Sequence, residues 1–299
     1  MSTLSAIKEH LIQCTVEQSC PIIDQVFEYL KRQDYKAQLD AAFVAQCCAQ
    51  FSLTPAQLAL HCVSLAACYA LTPISHFYVG AVAIGKSGTF YFGANQEFAA
   101  VAIQQTVHAE QSAIAHAWLA GESAISDIAV NATPCGHCRQ FMNELNTADS
   151  LKIHLPHSQN NPLHSYLPDS FGPKDLDIKY ALFDLPQTQP VASQKDELVQ
   201  AAVTAARLSH APYSQAFSGV ALQIGSQIIS GRYIENAAFN PSLPPLQSAL
   251  NYRRLLGLSD VPVSRLIMAE SPTALSHRAI TEELARHYLG IEQLEYILL

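Results

Sequence analysis

Hydrophobic positions follow a helical period over the first fifty residues and give way to short alternating runs further along the chain. The apolar residues that recur with this period are Ile7, Leu11, Cys14, Val26, Leu30 and Ala41. At Thr54-Pro55 an N-cap residue precedes a proline suited to the first helical position, which predicts a helix from there to Tyr69. We therefore predict a small helical region at residues 1–50, followed by a unit that begins with a helix.

Residues 51–152 have the pattern of one α/β unit. After the first helix, two short runs rich in β-branched and aromatic residues are separated by glycines, and helical and strand-like stretches follow. The further predicted elements are a hairpin of Phe77–Ile84 and Thr89–Phe92, a helix at Thr106–Leu119, a strand at Ile125–Val130 and a helix from Thr133-Pro134. The predicted order is helix, hairpin, helix, strand, helix.

A proline-rich stretch follows, after which the same plan begins again. Residues 153–190 have few periodic runs and predict a connector that crosses the surface, with one strand at Ile178–Phe183. The elements predicted beyond it are a helix at Leu198–Leu208 and a hairpin of Phe217–Ile224 and Gln227–Ile229. The run Gln247-Ser248-Ala249 repeats Gln111-Ser112-Ala113. We predict an internal duplication, with the second α/β unit at residues 191–299.

Composition places the chain among globular proteins. Hydrophobic residues make up 49% of the chain and charged residues 14%, which suits a large buried core. The formal net charge of −8 repels polyanions, so nucleic acid is not an expected partner. We also expect no membrane partner and a cytoplasmic location, because no stretch resembles a signal peptide or a bilayer-spanning helix.

The eight cysteines all lie in the first half of the chain, and their irregular spacing does not suggest a disulfide framework. Six of them are expected to be small buried hydrophobic residues: Cys14, Cys20, Cys47, Cys48, Cys62 and Cys68. Cys135 and Cys138 are treated separately, because other potential metal ligands accompany them.

Two short motifs contain potential metal ligands near predicted helix starts, His108-Ala109-Glu110 and Pro134 to Cys138. Cys135 and Cys138 are three residues apart and so lie on one helical face, where both sulfurs can reach one ion. His108 can serve as the third ligand. Three protein ligands leave the fourth position of a tetrahedral zinc site open for water, as catalytic sites require. We predict one Zn²⁺ per chain.

Each motif alone has other interpretations. A Cys-x-x-Cys pair also occurs in redox proteins and in structural zinc sites. A redox pair does not call for the histidine, and a structural site normally needs a fourth protein ligand. His137 could supply one, but it lies between the two cysteines and is expected to point elsewhere. A catalytic zinc site is therefore the favoured interpretation.

Taken together, His108-x-Glu110 and Pro134-Cys135-x-x-Cys138 are the signature of zinc deaminases. The surrounding residues resemble the cytidine deaminase family, specifically its long, two-domain bacterial form. The matching runs are Ser75 to Gly80, Gly93 to Glu97, His108 to Ala113, Thr133 to Gln140 and Phe171 to Leu176. The resemblance implies a three-layer αβα cytidine-deaminase fold, duplicated, behind the N-terminal helices.

The resemblance also implies an activity and a partner. The expected reaction is hydrolysis of cytidine and deoxycytidine to uridine and deoxyuridine with release of ammonia. Glu110 would be the proton shuttle between the zinc-bound water, ring N3 and the departing ammonia. The expected assembly is a homodimer, in which Phe171 would reach the site of the other subunit.

Further substrate contacts are carried over from the family in the same way. Asn95 and Glu97 would bind the ribose hydroxyls, and Gln96 between them is included among the substrate-binding positions. Phe77 would pack against the base, and the main chain at Ala109 would fix the pyrimidine edge. Core packing is the alternative role for Phe77 and Phe171, and a loop cap or a solvated charge is the alternative for Asn95 and Glu97.

The second unit lacks these residues. Aligned with the first unit, it has Ala216 opposite Phe77, Tyr233 opposite Asn95, Pro244 opposite His108 and Leu246 opposite Glu110. Glu235 is retained opposite Glu97, and no cysteine follows Cys138. We predict that residues 191–299 form a vestigial, non-catalytic domain.

Two other functions remain open at this point. The first is a deaminase that acts on a cytosine nucleotide or on nucleic acid, although the carboxylate of Glu97 near the sugar would repel a phosphate. The second is a non-catalytic zinc module, which would not explain an open coordination position beside a carboxylate.

Overall fold

The computed structural model describes residues 3–184 and 195–299. Its α-helices are α1 (Thr3–Gln18), α2 (Pro21–Arg32), α3 (Ala41–Phe51), α4 (Pro55–Ala67), α5 (Ala109–Leu119), α6 (Gly136–Met142), α7 (Leu163–Tyr166), α8 (Glu197–Arg207), α9 (Pro245–Leu255) and α10 (Arg278–Leu284). Its strands are β1 (Gln38–Leu39), β2 (Gly80–Gly85), β3 (Phe90–Ala94), β4 (Ile125–Val130), β5 (Lys152–Leu155), β6 (Ser158–Pro162), β7 (Ser218–Ile224), β8 (Gln227–Arg232), β9 (Val263–Glu270) and β10 (Glu295–Leu298). In these residues no helix has the length and apolar character needed to cross a bilayer.

The strands form two sheets with the same internal order. The first sheet runs β1-β3-β2-β4-β5-β6, and the second runs β10-β9-β7-β8. In the first, β2 is antiparallel to β3 and β4, while β4 and β5 are parallel. In the second, β7 is antiparallel to β8 and β9, while β9 and β10 are parallel. The series β3-β2-β4-β5 therefore corresponds to β8-β7-β9-β10, which confirms the predicted duplication.

Each sheet is covered by helices on both faces. Because side chains alternate along a strand, Ala81 and Ala83 of β2 join the core that contains α5, while Val82 and Ile84 join the core that contains α4 and the N-terminal helices. Helix α8 covers the outer face of the second sheet, and α5 packs directly on α9. The predicted αβα layers are thus present in both units, which meet through their inner helices.

Glycine sets the distance between each inner helix and its sheet. A Cβ atom on Gly93 of β3 would lie 2.2 Å from the nitrogen of Ala113 and 2.5 Å from the carbonyl oxygen of Ala109. A Cβ atom on Gly231 of β8 would lie 2.2 Å from the carbonyl oxygen of Pro245. Only glycine permits so close a contact between backbones. Helices α5 and α9 are therefore fixed at equivalent positions on their sheets.

The two helices that carry the predicted metal ligands begin later than the sequence pattern suggests. The predicted starts were Thr106 and Thr133, but α5 begins one residue after His108 and α6 begins one residue after Cys135. His108 has φ −83° and ψ 157°, and Cys135 has φ −71° and ψ 168°, so both have extended backbones. Both residues are therefore N-caps, whereas the pattern placed them inside helices.

The strand predicted at Phe77–Ile84 also begins later, because β2 starts at Gly80. The preceding residues form a loop whose backbone is bonded to side chains from the end of β3. This loop contains Phe77, so its conformation affects the substrate-binding residues predicted from the sequence.

The predicted connector differs from the structure in two respects. Strands β5 and β6 extend the first sheet as far as Pro162, so the sheet continues past the predicted boundary at residue 152. No strand forms at Ile178–Phe183, where Leu182 makes only an isolated bridge with Leu145. The predicted boundary at residue 190 lies outside the described residues.

A buried polar cluster joins the inner helices of the two units. The side-chain oxygen of Asn251 on α9 accepts hydrogen bonds from the hydroxyl of Ser112, at 2.6 Å, and from the amide of Gln96, at 2.7 Å. The side-chain amide of Asn251 donates to the carbonyl of Ser112 at 3.1 Å. All three residues are at most 1% exposed. The cluster is satisfied internally, which fixes the register of α5 on α9.

Glu144 makes a second connection between the units. It follows α6, is 1% exposed, and lies close to three groups of the second unit. The Tyr213 hydroxyl donates to its carboxylate at 2.6 Å, the Ala237 backbone amide donates at 3.0 Å, and Nε2 of His210 lies at 3.0 Å. The second unit thereby holds the C-terminal end of the helix whose N-terminus carries the cysteines.

We predict that Glu144→Ala destabilises the protein strongly. Removing a buried carboxylate leaves its donors unsatisfied, which should lower the free energy of unfolding by about 3 kcal/mol or more. Urea unfolding followed by circular dichroism measures the change. Glu282→Ala is the control, since Glu282 forms an exposed pair with Arg278 and its loss should change little. Equal effects of the two substitutions would contradict this account of the junction.

Candidate active site

Helix α5 lies against β2 and β3 of the first sheet and carries two of the predicted site residues at its N-terminal end. His108 is its N-cap and Glu110 lies in its first turn. The side-chain oxygen of Gln111 accepts a hydrogen bond from the backbone amide of His108 at 3.2 Å. The side-chain amide of Gln111 donates to the carbonyl of Pro241 in the second unit at 2.8 Å. The start of α5 is therefore held by both units.

Helix α6 brings the two cysteines to the same place. Cys135 is the N-cap and Cys138 lies in the first turn, so both sulfurs face the N-terminal end of the helix. Arg139 donates through Nε to the carbonyl of Pro134 at 2.7 Å, which fixes the turn before the helix. Cys138 is buried, whereas Cys135 is exposed. One thiol is thus packed into the protein and the other faces the site opening.

The three predicted ligands lie together. The Sγ atom of Cys135 is 3.5 Å from Nδ1 of His108 and 3.5 Å from Sγ of Cys138, and all three ligand atoms lie within 4.8 Å of one another. Tetrahedral zinc with ordinary Zn–N and Zn–S bonds separates such atoms by about 3.6 to 3.8 Å. The observed distances therefore suit one zinc ion with a fourth position left for water. This is the only such group among the described residues.

Electrostatics in this group favour thiolate at Cys135. Contact with Cys138 and with His108 lowers the pKa of Cys135 to about 3, whereas contact with Cys135 and burial raise the pKa of Cys138 well above its ordinary value. Zinc binds cysteine as thiolate, so metal binding at this group would require Cys138 to release its proton. The N-terminal ends of α5 and α6 also place partial positive charge beside the group.

Glu110 lies next to the ligands and is 4% exposed. Burial raises the pKa of its carboxyl above the usual value. The structure therefore brings a buried carboxyl group beside the predicted zinc position, at a place where it can exchange a proton with a bound water or substrate.

The ring of His137 stacks on the ring of His108, with centroids 4.6 Å apart and an interplanar angle of 18°. It is not part of the ligand group, as expected from its position between the cysteines. Its contact with His108 was not predicted from the sequence, because no local pattern indicates a contact between two residues that are far apart along the chain.

Phe77 and Phe171 are on the surface and outside the core. Their exposed fractions are 60% and 46%, so the core-packing alternative does not describe them. The carbonyl of Phe171 accepts hydrogen bonds from Gln140 at 2.8 Å and from Asn143 at 3.1 Å, at the end of α6. The main chain at Phe171 is thus fixed to the metal-binding helix while its ring remains free to make contacts.

Asn95 and Glu97 lie at the end of β3 and both bind the loop that contains Phe77. Asn95 donates to the carbonyl of Phe77 at 2.8 Å and accepts from the amide of Val79 at 2.9 Å. Glu97 accepts from the backbone amides of Ile74 and Ser75 at 2.9 and 3.0 Å. Their loop-capping role was one of the alternatives considered from the sequence, and the structure shows these bonds.

Gln96 lies between these two residues and faces the second unit. Its side-chain amide is bonded to Asn251 at the junction of the two units, and the residue is 1% exposed. The structure thus gives its side chain a role at the junction, and its contact with substrate stays a prediction. Ala109, whose main chain was predicted to contact the base, is buried at the start of α5.

The second unit retains the loop but lacks the ligand group. Its Glu235 accepts from the backbone amides of Tyr213 and Ser214 at 2.8 and 3.1 Å, as Glu97 does in the first unit. Pro244 precedes α9 at the place that His108 holds before α5. Within the described residues of this unit no candidate metal group occurs.

Sequence reasoning missed several residues that shape the site, among them Glu144 and Asn251. Their partners lie more than 60 positions away along the chain, so no local pattern could reveal them. The sequence does indicate Ser75, because Pro73-Ile74-Ser75 recurs as Pro212-Tyr213-Ser214. It does not indicate that the Ser75 hydroxyl bonds to Glu97.

The duplicated αβα fold, the three-ligand group and the adjacent buried carboxyl group together define a zinc-dependent deaminase. Comparison with known proteins agrees. Two family models, both described as the cytidine and deoxycytidylate deaminase zinc-binding region, match residues 54–152 and 163–282.

Full-length relatives extend this result. A cytidine deaminase from Haemophilus ducreyi is 63% identical over 297 residues, covering 99% of both chains. One from Haemophilus influenzae is 53% identical over 289 residues, covering 96% of this chain and 99% of that one. A solved cytidine deaminase from Mycobacterium tuberculosis is 31% identical, covers 36% of this chain and 89% of that one, and has a TM-score of 0.33. The relatives that span the whole chain show that it belongs to the cytidine deaminase family.

We predict one tightly bound zinc per chain, held by the group on α5 and α6. Cys138→Ser should lose most of this zinc, because a serine hydroxyl is a poor substitute for a thiolate. Cys62→Ser, in the buried core around α4, is the matched control and should keep one zinc per chain. Metal analysis after gel filtration measures both. Two tightly held ions per chain would contradict a second unit without a ligand group.

Proposed function

We propose that this chain hydrolyses cytidine and deoxycytidine to uridine and deoxyuridine with release of ammonia. The observation that carries the proposal is the position of buried Glu110 beside the ligand group of His108, Cys135 and Cys138. The relatives that match the whole chain are cytidine deaminases, which supports the same substrate class.

Glu110 is the residue that moves protons. His108, Cys135 and Cys138 would hold a zinc ion, which would supply a Lewis acid beside the reacting carbon and lower the pKa of a water there. Glu110 is placed to accept a proton from the attacking water and to deliver it to N3 of the pyrimidine as the C4–O bond forms. Its carboxylate would then carry the remaining proton of that oxygen to the exocyclic amine, so that the C4–N4 bond breaks, the C4 carbonyl forms and ammonia leaves. One water is consumed for each ammonia released.

The other predicted site residues bind and orient the nucleoside. Phe77 packs against the base, the main chain at Ala109 contacts the pyrimidine edge, and Asn95 and Glu97 contact the ribose hydroxyls. A carboxylate near the sugar disfavours a phosphate group there by several tenths of a kcal/mol or more, according to screening. A free nucleoside is therefore favoured over a nucleotide or a nucleic acid, in agreement with the net charge of −8.

We further propose that the enzyme is a cytoplasmic homodimer with shared sites. Phe171 has an exposed ring on a main chain that is anchored to α6, which suits a contact across a subunit boundary. In this assembly the unit that runs from residue 51 through β6 is the catalytic domain, and residues 191–299 form a domain without catalysis of its own. Helices α1, α2 and α3 pack against α4, which lies on the outer side of the first sheet.

We predict that Glu110→Gln retains zinc and fold but loses most turnover. The amide has nearly the size of the carboxyl group but does not shuttle protons, and such groups typically contribute about 10² to 10⁴ in rate. The loss of cytidine absorbance on deamination measures kcat, with metal content and thermal unfolding as controls. A kcat near that of the unsubstituted enzyme would remove Glu110 from the mechanism.

Complementation tests the shared site. Stacking of a base on an aromatic ring is worth about 1 to 3 kcal/mol, so Phe171→Ala should be clearly impaired, and Glu110→Ala should be nearly inactive. If Phe171 acts across the interface, each mixed dimer has one intact site and one with both defects. Random pairing of equal amounts then restores about a quarter of the full activity. Activity no higher than the average of the two separate variants would reject the shared site.

A further inference from the structure

The loop at residues 74–79 positions Phe77 through a set of side-chain contacts that we call the Ser75 latch. The latch consists of Ser75, Glu97 and the bonds between them. The Ser75 hydroxyl donates to one carboxylate oxygen of Glu97, while the other oxygen accepts from the backbone amides of Ile74 and Ser75. The hydroxyl oxygen of Ser75 also accepts from the backbone amide of Phe77 at 3.1 Å.

The latch occupies most of the bonding capacity of Glu97. A carboxylate has about four acceptor positions, and the loop uses three of them. Glu97 is 8% exposed, although Ser75 and Phe77 are on the surface. The principal contacts of this carboxylate are therefore with the loop, and about one acceptor position is left for a sugar hydroxyl.

The second unit shows the contact with the loop in the absence of any contact with a sugar. Glu235 makes the same two backbone bonds, and the Ser214 hydroxyl accepts from the amide of Ala216 at 3.1 Å, as Ser75 does from Phe77. Glu235 is fully buried, so no sugar can reach it, and Ala216 replaces the aromatic ring. The backbone bonds of the latch therefore recur in a buried setting, where the Tyr233 hydroxyl, at 3.4 Å, takes the place of the serine hydroxyl on the second carboxylate oxygen. These bonds form without contact to a sugar, while the hydroxyl bond from Ser75 to Glu97 is particular to the first unit.

The backbone inside the loop shows what the latch stabilises. His76 has φ +53° and the equivalent Gln215 has φ +57°, a left-handed conformation that costs free energy for residues other than glycine. The residue after each of them is Phe77 or Ala216, whose direction follows from this turn. The hydrogen bonds that side chains make to the backbone around the turn offset the free-energy cost of the left-handed conformation. They also fix the position of the residue that follows it.

We infer that Ser75 is a positioning residue for the deaminase reaction, which together with Glu97 holds the ring of Phe77 where the base must stack. This inference rests on the proposed function. It assigns to Glu97 a second role besides any contact with ribose, and it assigns to Ser75 a role that requires no contact with substrate.

The test compares Ser75→Ala with the unsubstituted enzyme on cytidine and on 2′,3′-dideoxycytidine, which lacks the 2′ and 3′ hydroxyls of the ribose. If the latch acts through Phe77, kcat/KM should fall by about tenfold on both substrates, mainly through KM, because stacking supports ground state and transition state alike. If Ser75 serves only to orient Glu97 toward the sugar, the loss should disappear with the dideoxynucleoside, which would overturn the inference.

A double substitution gives a readout that a merely structural role would not change. In a Phe77→Ala background, Ser75→Ala should have no further effect on kcat/KM, because the ring that it positions is absent. Ser75→Thr keeps the hydroxyl and should restore most activity. A tenfold loss that persists in the Phe77→Ala background, or no loss in Ser75→Ala itself, would overturn the inference.

Ser214→Ala is the matched control. It removes the hydroxyl that accepts from the Ala216 amide in the second unit, where alanine stands at the position of Phe77, and should leave kcat/KM unchanged on both substrates. An equal loss from Ser214→Ala would show a general effect on the fold and contradict the assignment. Absence of cytidine turnover in the unsubstituted, zinc-loaded enzyme would overturn the proposed function and the inference together. Normal turnover with an unaffected Ser75→Ala would overturn the inference alone.

Discussion

The contact between helix α5 and strand β3 at Gly93 is the constraint on which the site depends. The absence of a side chain lets the backbone of α5 lie against the strand, where a Cβ atom would be 2.2 Å from a helix nitrogen. Two and four residues after Gly93 come Asn95 and Glu97, and the helix itself begins with His108 and Glu110. The loop that contains Phe77 is bonded to residues that follow β3, and part of the metal-binding group lies at the start of α5. The two have a fixed relative position because α5 and β3 are in close contact at Gly93.

The two units contribute to the site in different ways. The first supplies every member of the ligand group, and the second binds the elements that carry it. Asn251 bonds to Ser112 on α5, and the partners of Glu144 hold the far end of α6. The second unit, in whose described residues no ligand group occurs, therefore supports the site through its inner helix, which completes the core of the first.

Much of the fold followed from local patterns. The N-cap and proline at Thr54-Pro55 predicted helix α4, whose capping box the structure contains, and the hairpins and the duplication also followed. The exact starts of α5 and α6 did not, because His108 and Cys135 cap their helices with extended backbones and the pattern cannot distinguish an N-cap from a first turn.

The ligand group could be predicted because its members have distinctive side chains at a short spacing. The residues that support it could not be predicted, since Gln96 and Asn251 meet only through tertiary packing between residues 155 positions apart. The internal duplication was the best indication of which residues support the loop and which could bind a metal. Glu97 and Glu235, which occupy equivalent positions in the two units, both bind the loop, whereas the three candidate zinc ligands occur only in the first unit.

A parallel ultraviolet assay with ammonia detection tests most directly whether the protein deaminates a free nucleoside at one zinc site. Purified zinc-loaded protein is given cytidine, cytidine monophosphate and a cytosine-containing single strand. We expect rapid conversion of cytidine with one ammonia released per uridine formed, much slower conversion of the monophosphate, and none of the strand. Preferential turnover of the monophosphate or the strand, or no turnover of cytidine, would contradict this expectation.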